Sequence, residues 1–514
     1  MRQTSILRNT VMLTLTNLSL RSVSLLFQVY LSRTIGAAGM GKMQLVLTVG
    51  GFAMTLGTSG VRVAAMNLTA RERGLDHPAG VKKAITSCLL YGLFASLLAG
   101  TLLYFLAPTL ANTFVGDGSV LPAIWLMALS LPLNCACAVL SGCYTALGKI
   151  RRMVWTDILE RVTSIFFTVL LLQYWADGRM SRICCAVIGG SELATGISFL
   201  ILFIALFREL RCIRGAEQVK MRGRLIRLCI PLALSDYLRS GLSTLEQFLI
   251  PRGLSKNPAT VDSSMADYGT VSGMVFPVLM FPAALFYSLS DLLVPELSRC
   301  RAKGRMLRIR GICTRSLRVG FVFSAMVSGL LFLLAPALGQ SLYHSRSAGQ
   351  YLRVFAPMIL MLYPDALTDG MLKGLGEQVA SVRYNTITAA CDVVLLFLLL
   401  PPLGMGGFVL TFLLTHGLNF FLSLRRLKMV AGLSLPWHHA IKTILVGALS
   451  AFFALALCPP VAKFLSMFLS AGVYLALYFL LCREFRVFHP AELLPYLRKK
   501  EPPASKEQRA KITA

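Results

Sequence analysis

The chain has 514 residues, 56% of them hydrophobic and 14% charged, with a formal net charge of +28. Soluble globular chains carry about 25% charged residues, so this composition excludes an ordinary soluble domain. Apolar runs of about 20 residues recur from end to end, the pattern of a polytopic membrane protein.

Fourteen spans are read at residues 10–31, 43–66, 84–106, 122–146, 154–175, 184–207, 228–250, 266–294, 319–339, 350–372, 384–402, 404–424, 441–459 and 464–482. The expected fold is an all-α polytopic membrane protein of about fourteen transmembrane helices. Taking alternate loops, about 38 Lys and Arg lie on the side shared by both termini and about 8 on the other. That asymmetry predicts cytoplasmic termini. The basic excess is then topology plus attraction to anionic membrane lipids, with no nucleic-acid partner. The thirteen cysteines are scattered without zinc-site spacing, so neither a metal, a cofactor nor a disulfide framework is expected. The first apolar segment is expected to remain as span 1 rather than be cleaved as a signal peptide.

In span 1, Asn17, Arg21, Ser24 and Gln28 fall within about 60° on a helical wheel. Arg21 is near mid-span, which points to a cavity. Span 2 carries Gln44, Thr48, Thr55 and Arg62 within about 40°. Arg62 either faces the same cavity or snorkels to the cytoplasmic end. Span 5 opens with Asp157, Glu160 and Arg161, which suits interhelical ion pairing, and span 6 places Glu192 after Gly189 and Gly190. Span 7 is apolar except for Asp236, Arg239, Ser243 and Glu246, which share an arc of roughly 80°. A charge at mid-bilayer costs roughly 3 kcal/mol on insertion scales. The stripe must therefore face other helices or a water-filled cavity.

Span 8 contains Pro277 and Pro282, candidates for a bend because mid-helix proline removes a backbone hydrogen bond. Span 10 places Asp365 and Asp369 one turn apart after Pro364. They read equally as cavity carboxylates, an ion site, or partners of Arg353 or Arg239. Spans 13 and 14 are almost wholly apolar apart from the interfacial Trp437, His438 and His439.

The segment Gly370-Met-Leu-Lys-Gly-Leu-Gly376 repeats the Gly-x4-Leu-Gly pattern of Gly142-Cys-Tyr-Thr-Ala-Leu-Gly148, 228 positions earlier. This predicts a parallel repeat: a six-helix lobe at 1–207, a basic cytoplasmic linker at 208–227, a second six-helix lobe at 228–424, spans 13–14 within 425–482, and a basic cytoplasmic tail at 483–514. Two lobes around a central cleft form a transporter layout rather than an enzyme, because the loops are too short for a catalytic site. Arginine suits bidentate phosphate binding, so Arg21, Arg62 and Arg239 point to a substrate with an anionic headgroup. The candidate substrate-binding residues are these three with Asn17, Gln28, Asp236, Glu246, Asp365 and Asp369.

Several segments in order resemble the oligosaccharide and polysaccharide flippases of the multidrug/oligosaccharidyl-lipid/polysaccharide exporter superfamily, and within them the stage V sporulation protein B group. They are Ser59-Gly-Val-Arg-Val-Ala-Ala-Met66, Leu140-Ser-Gly-Cys-Tyr-Thr-Ala-Leu-Gly148, Tyr268-Gly-Thr-Val-Ser-Gly-Met-Val-Phe-Pro277, Leu293-Val-Pro-Glu-Leu297 and Gly370 to Gly376. The resemblance implies alternating access and flipping of an undecaprenyl-diphosphate-linked sugar across the bacterial cytoplasmic membrane, in a sporulation setting. The sugar is a lipid II-like peptidoglycan precursor or a polysaccharide unit. It also implies that Arg21, Arg62 and Arg239 line the cleft, that spans 13–14 hold the lipid tail, and that the protein acts as a monomer. The alternative is a cation-coupled multidrug antiporter of the same superfamily.

Overall fold

The computed structural model describes residues 2–75, 77–211, 221–256, 263–433, 437–459 and 464–487. Residues 212–220 of the expected linker, most of the expected tail, and the side chain of Asn17 lie outside the described residues. The described residues are helical, without a strand. In chain order the helices are α1 (Arg2–Thr58), α2 (Val61–Gly74), α3 (Pro78–Thr109), α4 (Leu121–Ala146), α5 (Ile150–Tyr174), α6 (Met180–Arg211), α7 (Arg222–Ser255), α8 (Ser264–Thr270), α9 (Phe276–Met280), α10 (Ala283–Ala302), α11 (Met306–Tyr343), α12 (Arg346–Phe355), α13 (Ile359–Gly374), α14 (Gln378–Leu403), α15 (Met405–Ala431), α16 (Trp437–Leu457) and α17 (Phe464–Glu484). Nine described helical stretches are long and apolar enough to cross a membrane, ten if one bent pair counts as a span. The protein is therefore a multi-pass membrane protein.

Spans 1 and 2 are not separated by a loop. α1 runs 57 residues through both. At 1.5 Å per residue it is nearly three times as long as the roughly 30 Å hydrocarbon core, so it must hold two crossings. They part at Gly36, whose φ of 71° and ψ of 177° break the helix at a single residue. Only a residue without Cβ takes that conformation at little cost. A second glycine, Gly60 at φ 73°, divides α1 from α2.

Span 8 bends where its prolines predict. The stretch Ser264–Met280 meets α10 at 55°, beside Pro282. A π-helical turn, Val271–Val275, lies between α8 and α9. α8 approaches α1 very closely, since a Cβ on Gly269 would meet the Ala37 carbonyl and the Gly41 backbone.

The 228-residue repeat recurs in contacts. Gly142 on α4 abuts the Arg62 carbonyl of α2, and Gly370 on α13 abuts Ser290 of α10. Gly148 lies by the Arg73 guanidinium and Gly376 by that of Arg301. Both turn glycines have positive φ, 69° and 71°. All four pairs of positions differ by 228. α7 touches both halves of the sequence: Met221, Leu225 and Cys229 join a core with Val61, Cys88 and Leu140, while Gly253 packs on Leu400 of α14.

Where α3, α7 and α11 terminate, two arginines cap helix ends. The Arg33 guanidinium donates to the Leu342 and Ser341 carbonyls at 2.6 and 2.5 Å. Arg252 donates to the Thr113 carbonyl at 2.6 Å. Lys42 pairs with Asp117 at 2.5 Å, and that hydrogen bond pulls the Asp117 carboxyl down to about 2. α16 and α17 pack on α11, where Tyr474 and Tyr478 donate to the Met326 and Val322 carbonyls at 3.0 and 2.7 Å. His439 lies 2.8 Å from the Val487 carbonyl, a packing contact beside the end of α17.

Candidate functional site

A pocket of about 430 Å³ opens between α1, α7 and the α8–α9 segment. α1 supplies Gln44, Thr48 and Phe52; α7 supplies Ser240, Ser243, Thr244 and Gln247; Ser272 and Phe276 come from the third wall. Its size is that of an ordinary small-molecule site. Its described lining is hydroxyl, amide and phenyl, with no charged side chain.

These residues converge because α7 is tied to the second arm of α1 just beyond the pocket. The Tyr237 hydroxyl donates to the Leu56 carbonyl at 2.9 Å, and Ser240 donates to Thr55 at 3.2 Å. Behind the pocket, the hydroxyl of Tyr268, 1% exposed, donates to Gln247 Oε1 at 2.7 Å. Gln28 donates to the Gly273 carbonyl in the π turn at 3.1 Å, tying the first arm of α1 to the same segment.

The expected charged stripe of α7 does not act as one unit. Ser243 lines the pocket. Asp236 instead accepts from Ser59 at 2.7 Å. Glu246 does not line the pocket; Asp392 of α14 lies within its electrostatic reach, and Asp392 accepts from Thr415 of α15 at 3.1 Å. Arg239 remains exposed on α7. Buried carboxylates without donors are costly, and these helices supply hydroxyls rather than cations to meet that cost.

Arg21 lies over the Tyr287 ring of α10 at 5.2 Å, a cation–π contact. Among the described residues neither Arg21 nor Arg239 forms an ion pair. Arg62 acts electrostatically on Asp157 of α5. That acid belongs to a polar patch where Asn134 donates to Glu192 at 2.7 Å and Thr195 to Glu160 at 3.3 Å. Asp365 accepts from Asn419 at 2.8 Å. Asp369 accepts from Ser381 and Asn385 at 2.9 and 3.3 Å. Arg353, one of their considered partners, lies over the Phe332 ring at 4.6 Å instead.

The nine candidates do not form one site. Arg21 and Gln28 face the bent segment of span 8, Arg62 lies near Asp157, Asp236, Arg239 and Glu246 are on α7 without lining the pocket, Asp365 and Asp369 sit on α13 against α14–α15, and the side chain of Asn17 is outside the described residues. Sequence reasoning missed Gln247, Ser272 and Tyr268. One signal for Gln247 was present: Ser240, Ser243, Thr244 and Gln247 recur at helical spacing on α7.

The profile of the polysaccharide biosynthesis protein family matches residues 6–300, more than half of the chain. Stage V sporulation protein B of Bacillus subtilis (strain 168) is 23% identical over 429 residues, covering 79% of this chain and 80% of that relative. Sporulation protein YkvU of the same organism is 18% identical over 388 residues, covering 74% and 85%. Among solved structures, the lipid II flippase MurJ in an inward closed conformation superposes with a TM-score of 0.68 at 13% identity, over 92% of this chain and 98% of that one. An inward-facing multidrug resistance MATE family transporter of the MOP superfamily gives 0.59 at 15% identity, over 81% and 98%. Both likenesses are of fold.

Proposed function

The chain belongs to the polysaccharide biosynthesis protein family, and from that premise we propose that it is a flippase for an undecaprenyl-diphosphate-linked sugar. Its cargo is a lipid II-like peptidoglycan precursor or a polysaccharide unit, moved across the bacterial cytoplasmic membrane by alternating access. The observation that carries this is a neutral, hydrogen-bonding pocket between α1 and α7, with Arg21 and Arg239 on those helices free of ion pairs among the described residues. A drug-cation site would call for carboxylates among its lining.

In this mechanism Arg21 and Arg239 hold the diphosphate, the sugar enters the pocket, and the polyprenyl tail stays in lipid beside α16 and α17. Residues 1–207 and 228–424 form two six-helix lobes that rock about α1–α2 and the bent α8–α10 segment. The monomer is the working unit. Both termini are cytoplasmic, in keeping with the loop charge asymmetry. The names of the two Bacillus relatives support a sporulation setting. No step makes or breaks a covalent bond.

The second reading, a cation-coupled multidrug antiporter, is favoured by the carboxylates Glu246, Asp365 and Asp392 among α7 and α13–α15. Purified protein in liposomes, offered fluorescent lipid II, another undecaprenyl-diphosphate glycan and a cationic dye, separates the two. Movement of either glycan lipid is the expected result. Dye movement with neither lipid transported would overturn the flippase.

A further inference from the structure

On the flippase reading, the arginines account for the diphosphate but not for what the pocket selects. Its described lining holds neither an acid nor a base. An ionic headgroup buried there would lose water without gaining a counter-charge. Sugar hydroxyls both donate and accept, and pyranose C–H faces pack on phenyl rings such as Phe52 and Phe276. The lining chemistry therefore fits an uncharged, hydroxyl-rich sugar.

The decisive group is Gln247. A glutamine amide presents two acceptor sites on oxygen and two N–H donors on nitrogen, and which end faces a ligand is set by neighbours. Here the oxygen is engaged by the Tyr268 hydroxyl at 2.7 Å. Tyr268 is 1% exposed, so water does not compete for its proton. One buried phenol of α8 thus holds a side chain of the α7 wall. The Gln247 nitrogen is left to donate.

We infer that Gln247 is a specificity-determining residue that donates its amide N–H groups to an acceptor oxygen of an uncharged sugar, with Tyr268 as the positioning residue that holds the amide in that orientation. The proposal rests on the flippase reading and adds the class of headgroup it reads.

The test measures flipping kinetics in liposomes for undecaprenyl diphosphate carrying a neutral disaccharide. The unmodified protein is compared with Gln247→Glu, Tyr268→Phe and the double variant, each with its unfolding temperature. Gln247→Glu replaces donors by acceptors and is expected to raise KM about tenfold, the scale of one lost buried hydrogen bond. Tyr268→Phe, which keeps the ring, is expected to raise KM several-fold with kcat and unfolding temperature little changed. Because Tyr268 acts through Gln247, the double variant should match Gln247→Glu alone, a non-additivity that a packing role would not produce. Unchanged KM in both single variants would overturn the inference while leaving the flippase standing. So would equal falls in kcat and unfolding temperature, or additive effects. Transport of lipid II or a charged glycan lipid without the neutral one would overturn the inference and leave the flippase standing, whereas movement of a cationic dye with no glycan lipid transported would overturn the flippase reading itself.

Discussion

In the proposed mechanism Arg21 and Arg239 bind the anionic part of the cargo. Among the described residues neither guanidinium forms an ion pair, Arg21 on the first arm of α1 and Arg239 on α7, and a charge-assisted bond to phosphate is worth about 1.5–3 kcal/mol. Arg21→Ala or Arg239→Ala should therefore cut flipping by about tenfold or more and fail to complement at normal expression. Arg21→Lys should recover only part, since an ammonium cannot form the planar bidentate pair. Full complementation by both alanine variants would remove the cationic cleft. Arg62 is placed differently, with Asp157 in its field, so its replacement is expected to disturb the α2–α5 packing first. The residues that sequence reasoning passed over, Gln247, Ser272 and Tyr268, are uncharged. In a membrane chain a charge is conspicuous because it is expensive, whereas a hydroxyl or amide is cheap enough to occur anywhere.

At the level of helices, the ends of α3 and α11 each leave backbone carbonyls without intrahelical partners. Arg33 supplies donors to α11 and Arg252 to the turn that follows α3. A cation at a helix C-terminus is worth about 0.3–1 kcal/mol at an exposed site. In the proposed two-lobe arrangement each cap joins one lobe to the other. Together they would favour a closed state of that end by about 0.6–2 kcal/mol, roughly three- to thirtyfold in population. A cysteine placed at Thr48 should react about tenfold faster with a membrane-impermeant thiol reagent added outside when Arg33 and Arg252 are both alanine. An unchanged labelling rate would show that the caps do not gate the pocket. The bend at Pro282 and the break at Gly36 differ in legibility. Proline announces a bend by chemistry alone, but Gly36 is one of 41 glycines, and only its φ of 71° marks it as a break.

For the whole molecule, alternating access needs an energy source. One charge crossing 100 mV is worth about 2.3 kcal/mol, up to about 50-fold in an equilibrium. If cleft arginines move through the field, an imposed potential should change the flipping rate steeply in the reconstituted system. A rate blind to potential but set by a sodium or proton gradient would assign the drive to ion exchange instead, with the Glu246–Asp392 pair as the first place to look. The 228-residue repeat gives the rocking a structural basis. The contacts Gly142–Arg62 and Gly370–Ser290 are equivalent close approaches of α4 on α2 and of α13 on α10, one within each proposed lobe.

Sequence by itself determined the class of protein, its all-helical membrane make-up, the bend in span 8 and the 228-residue spacing of the two Gly-x4-Leu-Gly segments. Those follow from hydropathy, proline chemistry and spacing, which are local properties of the chain. Tertiary structure decided which polar groups meet. Ser243 and Glu246 are three residues apart on α7 and share one stripe on a helical wheel, yet Ser243 lines the pocket while Glu246 is absent from its lining and lies within electrostatic reach of Asp392. A wheel fixes the angle of a side chain about its own helix axis. It cannot say which neighbour stands at that angle, because this depends on how α1, α7 and α14 pack together, with close approaches at Gly41, Gly253 and Gly269 that no periodicity records.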